Sequence, residues 1–224
     1  MTARKPARTK PRDLKVVEHA RARIFDSFFK IDEKVLSYDR IDGPGRIERQ
    51  RWLIFERGDA AAVLIHDIEN DTILLTEQLR VATLDKGPGI IREVVAGMIE
   101  AGETPEACIR REIEEEIGYS LRKSDLKRIA EFYVSPGGSS ERIFLFYARV
   151  RPNHRTRENA SGLAGEGENI ATAVVPRQRF IKLARTGKLE DAKTLVAGLW
   201  LAGQMRKAST RSALGRRKPF CGGG

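Results

Sequence analysis

The 224-residue chain is predicted to adopt an α+β fold, with a small N-terminal antiparallel β subdomain before a larger domain of strands and helices. Three observations predict this. Apolar and polar residues alternate over residues 23–56, as in strands with one buried face. Apolar residues fall at three- and four-residue steps over 104–117, which indicates a helix. Two further helical patterns follow the last strand-like segment.

The β subdomain is predicted over residues 13–57. The sequence GPG at 43–45 breaks the alternation and residues 46–58 resume it, so we expect a small antiparallel meander. Residues 61–81 then contain two strands around the polar turn DIEND. The segment IIREVVAGMIEAGE, at 90–103, reads as a strand that runs into a glycine loop.

The helix at 104–117 has clear end signals. Thr104 is a good N-cap, Pro105 suits the first turn, and Gly118 stands where a helix C-cap favours glycine. The main domain, predicted over 58–205, continues with strands at 127–135 and 142–150 and a polar, glycine-rich loop at 156–169. A last strand at 169–176 and two helices, at 177–187 and 191–208, complete it.

The positive charge of the chain is concentrated at its ends. The net charge is +10, but residues 1–24 and 204–224 each carry +6, which leaves −2 for the middle. We expect disordered basic tails over 1–12 and 206–224, with at most weak, salt-dependent contact to nucleic acid. No apolar run approaches the length of a membrane span, so no membrane association is expected. The two cysteines form no framework, which favours a cytoplasmic protein with free thiols.

The predicted helix carries an unusual concentration of carboxylates. At about 100° per residue, Glu112, Glu115 and Glu116 share one face, whereas Glu114 points elsewhere. Three neighbouring carboxylates repel one another unless a cation lies among them. Hard oxygen ligands suit Mg²⁺, with Mn²⁺ as the alternative, and such ions commonly bind substrate phosphates as well. A solvated charged helix face is the competing interpretation.

Residues 97–119, GMIEAGETPEACIRREIEEEIGY, resemble the Nudix box G-x5-E-x7-R-E-U-x-E-E-x-G-U. Every fixed position matches, and only Tyr119 departs, where an aliphatic residue is usual. The resemblance implies a Nudix αβα sandwich that hydrolyses a nucleoside diphosphate linked to another moiety. It implies that the box forms a loop, a helix and a second loop.

The resemblance also implies roles for individual residues. The metal ligands would be Glu112 and Glu116, with the Ala96 carbonyl and, from the glycine-rich loop, Glu168. Glu166 of that loop would be the catalytic base, and Glu115 is a second catalytic candidate that faces the cluster. The structural positions would be Gly97, Gly118 and an ion pair between Glu103 and Arg111.

Further segments are similar to bacterial ADP-ribose pyrophosphatases, including TEQLRVA at 76–82, SPGGSSER at 135–142 and GLAGEGENI at 162–170. The similarity covers roughly residues 20–203. It implies that two or three Mg²⁺ ions assist the conversion of ADP-ribose to AMP and ribose 5-phosphate. GDP-mannose pyrophosphatases share most of these motifs and are the nearest alternative. A non-catalytic, nucleotide-sensing Nudix module is another.

By matched position, Arg80 resembles a contact to the diphosphate, and Glu141 resembles a contact to ribose or base. Phe28 matches an aromatic residue that stacks on adenine, in an N-terminal region exchanged between the subunits of a homodimer. Where the family has an arginine, this chain has Trp52, with Arg51 one place earlier. That exchange leaves open which nucleobase is recognised, and Phe28, Arg51 and Trp52 remain candidates for substrate binding.

Overall fold

The computed structural model describes residues 14–156 and 169–215. Within them the chain divides into two compact units. The first contains the N-terminal segment to Arg57 together with Ser135–Ser140, and the second contains Gly58–Val134 and the chain from Glu141 onward. The predicted tail at 1–12 and the candidate residues Glu166 and Glu168 lie outside the described residues.

The first unit contains a three-stranded antiparallel sheet in the order β1-β2-β3. Its strands are β1 (Val16–Asp26), β2 (Lys30–Asp39) and β3 (Arg46–Glu56). β1 begins at Val16, earlier than the predicted alternation at residue 23, and it pairs with β2 as far as Tyr38. The segment Ser135–Ser140 joins this unit, since Phe55 N donates to Gly138 O at 2.8 Å.

The second unit is built on a seven-stranded mixed sheet in which five strands follow the order β10-β5-β4-β9-β8. β6 pairs with β5, β7 pairs with β4, and β4 lies parallel to β9. The strands are β4 (Ala60–Asp67), β5 (Thr72–Leu79), β6 (Ile90–Glu93), β7 (Val95–Met98), β8 (Leu126–Tyr133), β9 (Arg142–Val150) and β10 (Ile170–Pro176). The helices are α1 (Pro105–Ile117), α2 (Arg177–Arg185) and α3 (Ala192–Gly215).

Alternate residues of β4 enter two hydrophobic clusters on opposite faces of the sheet. Leu64 packs on one face in a cluster with Phe180 of α2 and Leu201 of α3. Ile65 packs on the other face in a cluster with Ile113 of α1. Helices therefore cover both faces of this sheet, which confirms the predicted α+β fold and its αβα sandwich.

Two further segments differ from the prediction. The strand expected over 90–98 is two strands, because Val94 N donates to Thr194 Oγ1 at 2.9 Å and β6 and β7 pair with different partners. The second difference is in α3, which continues through residues 206–215, where the sequence predicts a disordered tail. That stretch has no proline and several good helix formers, so nothing stops the helix before Gly215. Residues 216–224 lie outside the described residues.

No helix in the described ranges is long and apolar enough to cross a membrane.

Candidate active site on helix α1 and strand β7

The end of β7 lies directly beneath a carboxylate of α1. Gly97 is held in the sheet opposite Ala61, and Ala96 is opposite Ala62. A Cβ atom on Gly97 would lie 1.8 Å from Oε1 and 2.1 Å from Cδ of Glu112. Only glycine leaves room for this carboxylate, so Gly97 is required by the position of Glu112 rather than by an unusual backbone conformation.

Helix α1 has the ends that the sequence predicts. Thr104 Oγ1 accepts a hydrogen bond from Ala107 N at 3.2 Å, and Pro105 occupies the first turn. Gly118 ends the helix in the left-handed conformation, with φ of 69°. These end signals set the phase of the helix, and with it the direction in which each carboxylate points.

The Arg111 side chain connects the loop before α1 to the carboxylates of the helix. Its Nε lies 3.3 Å from Glu103 Oε1 and its Nη2 3.3 Å from Glu103 Oε2. Its Nη1 donates to Glu112 Oε1 at 2.8 Å and to Glu115 Oε2 at 3.1 Å. One guanidinium therefore braces the loop and offsets the repulsion between two neighbouring carboxylates.

Burial and neighbouring charges both shift the pKa values of Glu103, Arg111 and Cys108. Burial alone would raise the pKa of Glu103, but hydrogen bonds from Arg111 and from the Glu100 backbone lower it below its ordinary value. Burial alone would lower the pKa of Arg111, but Glu103 and Glu112 raise it. Burial, followed by the charges of Glu103 and Glu112, raises the pKa of Cys108 to about 12, so this thiol remains protonated.

The residue types on this face suit a hard divalent cation. The side chains of Glu112 and Glu115 are 13% and 25% exposed, and Glu116 is buried at 3% exposure. Carboxylate oxygens are the ligands that Mg²⁺ or Mn²⁺ prefers. In the described ranges, no group of three or more His, Cys, Asp or Glu side chains is close enough to hold a metal ion as arranged.

A family model for the NUDIX domain matches residues 56–196, which is more than half of the chain. The chain belongs to the Nudix family. This confirms the predicted Nudix hydrolase, and the matched range includes residues 97–118, which resemble the Nudix box.

Two named relatives match most of this Nudix chain. It is 36% identical over 184 residues to an ADP-ribose pyrophosphatase of Escherichia coli (strain K12), covering 81% of this chain and 85% of that protein. It is 34% identical over 173 residues to a GDP-mannose pyrophosphatase of Salmonella arizonae, covering 76% of this chain and 86% of that protein. Both matches extend beyond the Nudix box.

Arg80 is held by the buried carboxylate of Glu93, which is not among the site residues predicted from the sequence. Arg80 follows β5, and its Nε donates to Glu93 Oε1 at 2.5 Å. The other oxygen of Glu93, whose side chain is only 4% exposed, accepts from Lys193 Nζ of α3. Lys193 also pairs with Asp191 at 2.8 Å. The Arg80 side chain is itself 43% exposed, so it is anchored at Nε and reaches the surface.

Glu93 could have been suspected from its sequence, because it is a carboxylate within the apolar segment IIREVVAG. No signal in the sequence links it to Lys193, which is 100 residues away. That contact exists because α3 begins beside the junction of β6 and β7, where Thr194 Oγ1 accepts a hydrogen bond from Val94 N.

Glu141 lies immediately before β9, where its backbone carbonyl accepts from Val134 N at 3.4 Å. Its side chain is half-buried. The hairpin between β8 and β9 fixes its position, and the neighbouring Arg142 is held by Asp59 through a 2.6 Å ion pair.

The three N-terminal candidates lie in the first unit. Phe28 is 80% exposed at the turn between β1 and β2, where its ring packs edge-on against Phe29 at 4.8 Å. Trp52 is 43% exposed on β3, and Arg51 beside it pairs with Glu33 of β2. An aromatic side chain as exposed as Phe28 is available for contact with a ligand or a second subunit.

Proposed function

We propose that this chain hydrolyses the diphosphate bond of a nucleoside diphosphate sugar, with ADP-ribose as the preferred substrate and AMP and ribose 5-phosphate as products. The observation that carries this is the pair of relatives, since their names share one bond type and differ in nucleobase and sugar. GDP-mannose is the second candidate substrate, supported by the second of these relatives.

The groups that would hold Mg²⁺ or Mn²⁺ are Glu112, Glu116, the Ala96 carbonyl and Glu168, with Glu115 beside them. The fit is supported by the acidic face of α1 and by the close approach of the Glu112 carboxylate to Gly97 of β7, next to the Ala96 carbonyl. When bound, such an ion neutralises charge on the phosphate oxygens and acidifies a coordinated water.

The residues of the chain itself supply orientation and proton transfer. Arg111 holds the loop at Glu103 against α1, so that the acidic face is fixed before substrate binds. In this proposal Glu166 accepts the proton of the water that attacks phosphorus, with Glu115 as the alternative base.

Arg80 is proposed to bind the diphosphate. Its Nε is fixed by Glu93, and in the described ranges its Nη groups have no hydrogen-bond acceptor, so the outer edge of the guanidinium can donate to phosphate oxygens. Glu141 is proposed to contact the ribose or the base, and Phe28 with Trp52 or Arg51 the nucleobase.

We also propose that the chain forms a homodimer in which the N-terminal sheets are exchanged. The supporting observation is that the first unit exposes large apolar side chains on its strands, among them Val16, Ile24, Phe25 and Leu53, and Phe28 at the turn between β1 and β2. Exposed apolar side chains on one unit are typical of a surface that packs against another protein chain. Phe28→Asp should shift the species measured by light scattering toward monomer, and an unchanged dimer mass would contradict the role of Phe28.

A cytoplasmic location stays a prediction, supported by the buried free thiol of Cys108.

The test is a comparison of kcat/KM with Mg²⁺ for ADP-ribose, GDP-mannose, NADH, diadenosine polyphosphates and 8-oxo-dGTP. We expect ADP-ribose to lead and nucleoside triphosphates to be poor. A preference for a triphosphate would overturn the substrate class. Inactivity toward every compound, despite saturable binding of ADP-ribose, would favour the nucleotide-sensing module.

Two matched variants of α1 test the acidic face. Glu116→Gln should abolish turnover without changing the fold, whereas Glu114→Gln, two positions earlier, should leave it intact. Full activity in Glu116→Gln would remove the metal assignment. Glu166→Gln tests the base separately, and a loss much smaller than that of Glu116→Gln would move that role elsewhere.

A further inference from the structure

The second unit contains a cavity of about 720 Å³ that none of the roles assigned above uses. It is lined by residues at the ends of β4 and β9, the start of β8, the first residue of α2 and the middle of α3. Its volume is in the range of pockets that hold small molecules.

The charged side chains that line this cavity are mostly cationic. Lys127, Arg149, Arg151 and Arg177 contribute four positive charges, and Asp125 contributes one negative charge. Asp125 is already paired with Arg122 at 3.1 Å. The cavity therefore has an excess of positive charge. The middle of the chain, between residues 24 and 204, has a net charge of only −2.

The cationic side chains of the cavity differ in the ion pairs and hydrogen bonds that they make within the protein. Arg177 is paired with Asp71 through Nε at 2.5 Å and Nη2 at 3.0 Å. In contrast, the side chains of Arg149 and Arg151 are exposed and make no ion pair or hydrogen bond within 14–156 and 169–215. In the same ranges the buried Nδ1 of His154, another lining residue, has no hydrogen-bond partner. The exposed side chains of Arg149 and Arg151 are available to an anion.

One wall of the cavity is aromatic. The rings of Tyr147 and Trp200 pack with centroids 5.1 Å apart, and Lys127 Nζ lies 5.3 Å from the Trp200 ring centroid. Tyr147 is fixed by a 2.8 Å hydrogen bond between its hydroxyl and His66 Nδ1. A rigid aromatic wall beside cations suits a ligand that carries both a flat ring and a negative charge.

The cavity and the Nudix helix lie on opposite faces of the main sheet. Tyr147 belongs to the cluster packed by α2 and α3, together with Leu64 and Leu201. The residues of α1 belong to the other cluster, which includes Ile65 and Ile113. A ligand in the cavity is therefore separated from the acidic face of α1 by the sheet itself.

We infer that this cavity is a second binding site, for an organic phosphate that carries an aromatic ring. The phosphate is recognised by Arg149, Arg151 and Lys127, and the ring packs against Trp200. Binding here requires no metal, because the recognising groups are cations rather than carboxylates.

The two tryptophans of the chain allow a direct test. In a Trp52→Phe background, Trp200 is the only tryptophan, so its fluorescence reports on the cavity alone. The probe is AMP, titrated in the presence of EDTA so that no metal-dependent binding or turnover contributes. We expect a saturable change in Trp200 emission with AMP. Inorganic phosphate, which has no ring, and adenosine, which has no phosphate, should bind much more weakly. Calorimetry on the unmodified chain repeats the measurement without the Trp52 substitution.

The variants separate this site from its surroundings. Arg149→Ala should weaken AMP binding about tenfold, since a hydrogen bond to a charged group contributes on that scale. Arg128→Ala is the matched control, because Arg128 is the next residue after Lys127 on β8 but contacts Glu131 and the Phe144 ring instead. Arg80→Ala, at the residue proposed above to bind the diphosphate, should leave AMP binding unchanged.

Any one of the following results would overturn the inference: no saturable change with AMP, equal binding of adenosine and AMP, or an equal loss in Arg128→Ala and Arg149→Ala. Loss of binding in Arg80→Ala would also overturn it, by placing the AMP at the proposed diphosphate site. None of these outcomes depends on hydrolysis, so the proposed function can fail while this inference holds.

Discussion

Replacing Gly97 with alanine tests whether the position of the Glu112 carboxylate controls activity. The new Cβ would lie 1.8 Å from Glu112 Oε1 and 2.5 Å from its Cγ, whereas ordinary contacts begin at about 3.4 Å. The carboxylate must therefore retreat by about 1.6 Å. Misplacement of a catalytic group by roughly 1 Å costs on the order of 100-fold in rate, or about 2.7 kcal/mol of transition-state stabilisation. We expect kcat/KM for ADP-ribose to fall at least that far.

The same substitution should change stability little. Gly97 is not among the residues with positive φ, so alanine introduces no backbone strain there. The contact from Arg111 to Glu112 would be disturbed, but the Arg111 side chain is 31% exposed and retains Glu103, so the loss is about 1 kcal/mol or less. For a chain of this length that corresponds to roughly 2–4 °C in Tm.

The assay compares kcat/KM and Tm for Gly97→Ala with those of Gly203→Ala. Gly203 lies in α3, and a Cβ there would meet nothing within 4 Å, so activity should be unchanged and the helix slightly more stable. Combining Gly97→Ala with Glu112→Ala should cost no more than Glu112→Ala alone, because both remove the same carboxylate. Activity of Gly97→Ala within threefold of the original chain, or full additivity in the double variant, would refute the reasoning.

Three further predictions concern stability. Glu93→Gln removes a buried carboxylate bound to Arg80 and Lys193, and should lower the free energy of unfolding by roughly 3 kcal/mol; an unchanged urea midpoint would contradict this. Burial would raise the pKa of Asp67, but hydrogen bonds from Asn70 and the Glu69 backbone lower it below 3.8. The contribution of Asp67 to the free energy of unfolding is therefore present above pH 3.8, and it is lost as the pH falls through the folded-state pKa. Asp67→Asn should therefore flatten the loss of stability on acidification below about pH 4, and an identical acid-unfolding curve would count against this. Thr104→Ala removes the N-cap of α1 and should cost about 1 kcal/mol by urea denaturation, while a change below 0.3 kcal/mol would deny the cap its role.

The sequence by itself determined the helix that carries the chemistry. Thr104 and Gly118 fix where α1 begins and ends, and the spacing of Glu112, Glu115 and Glu116 then fixes which carboxylates share a face. These are local properties, since capping and the 3.6-residue period act over a single turn. The Nudix box is a local motif for the same reason, and both the family and the α+β fold could be predicted from it.

Only the tertiary structure decided the contacts between distant segments. The closeness of Gly97 to Glu112 depends on how α1 crosses β7, and the link from Glu93 to Lys193 spans 100 residues. The division of residues 90–98 into two strands also depends on a distant segment, because the backbone N–H of Val94 donates a hydrogen bond to Thr194 Oγ1. The basic cavity beside Trp200 is assembled from five separate elements. Sheet register and helix packing set these contacts, and no periodicity within a single segment of the chain encodes them.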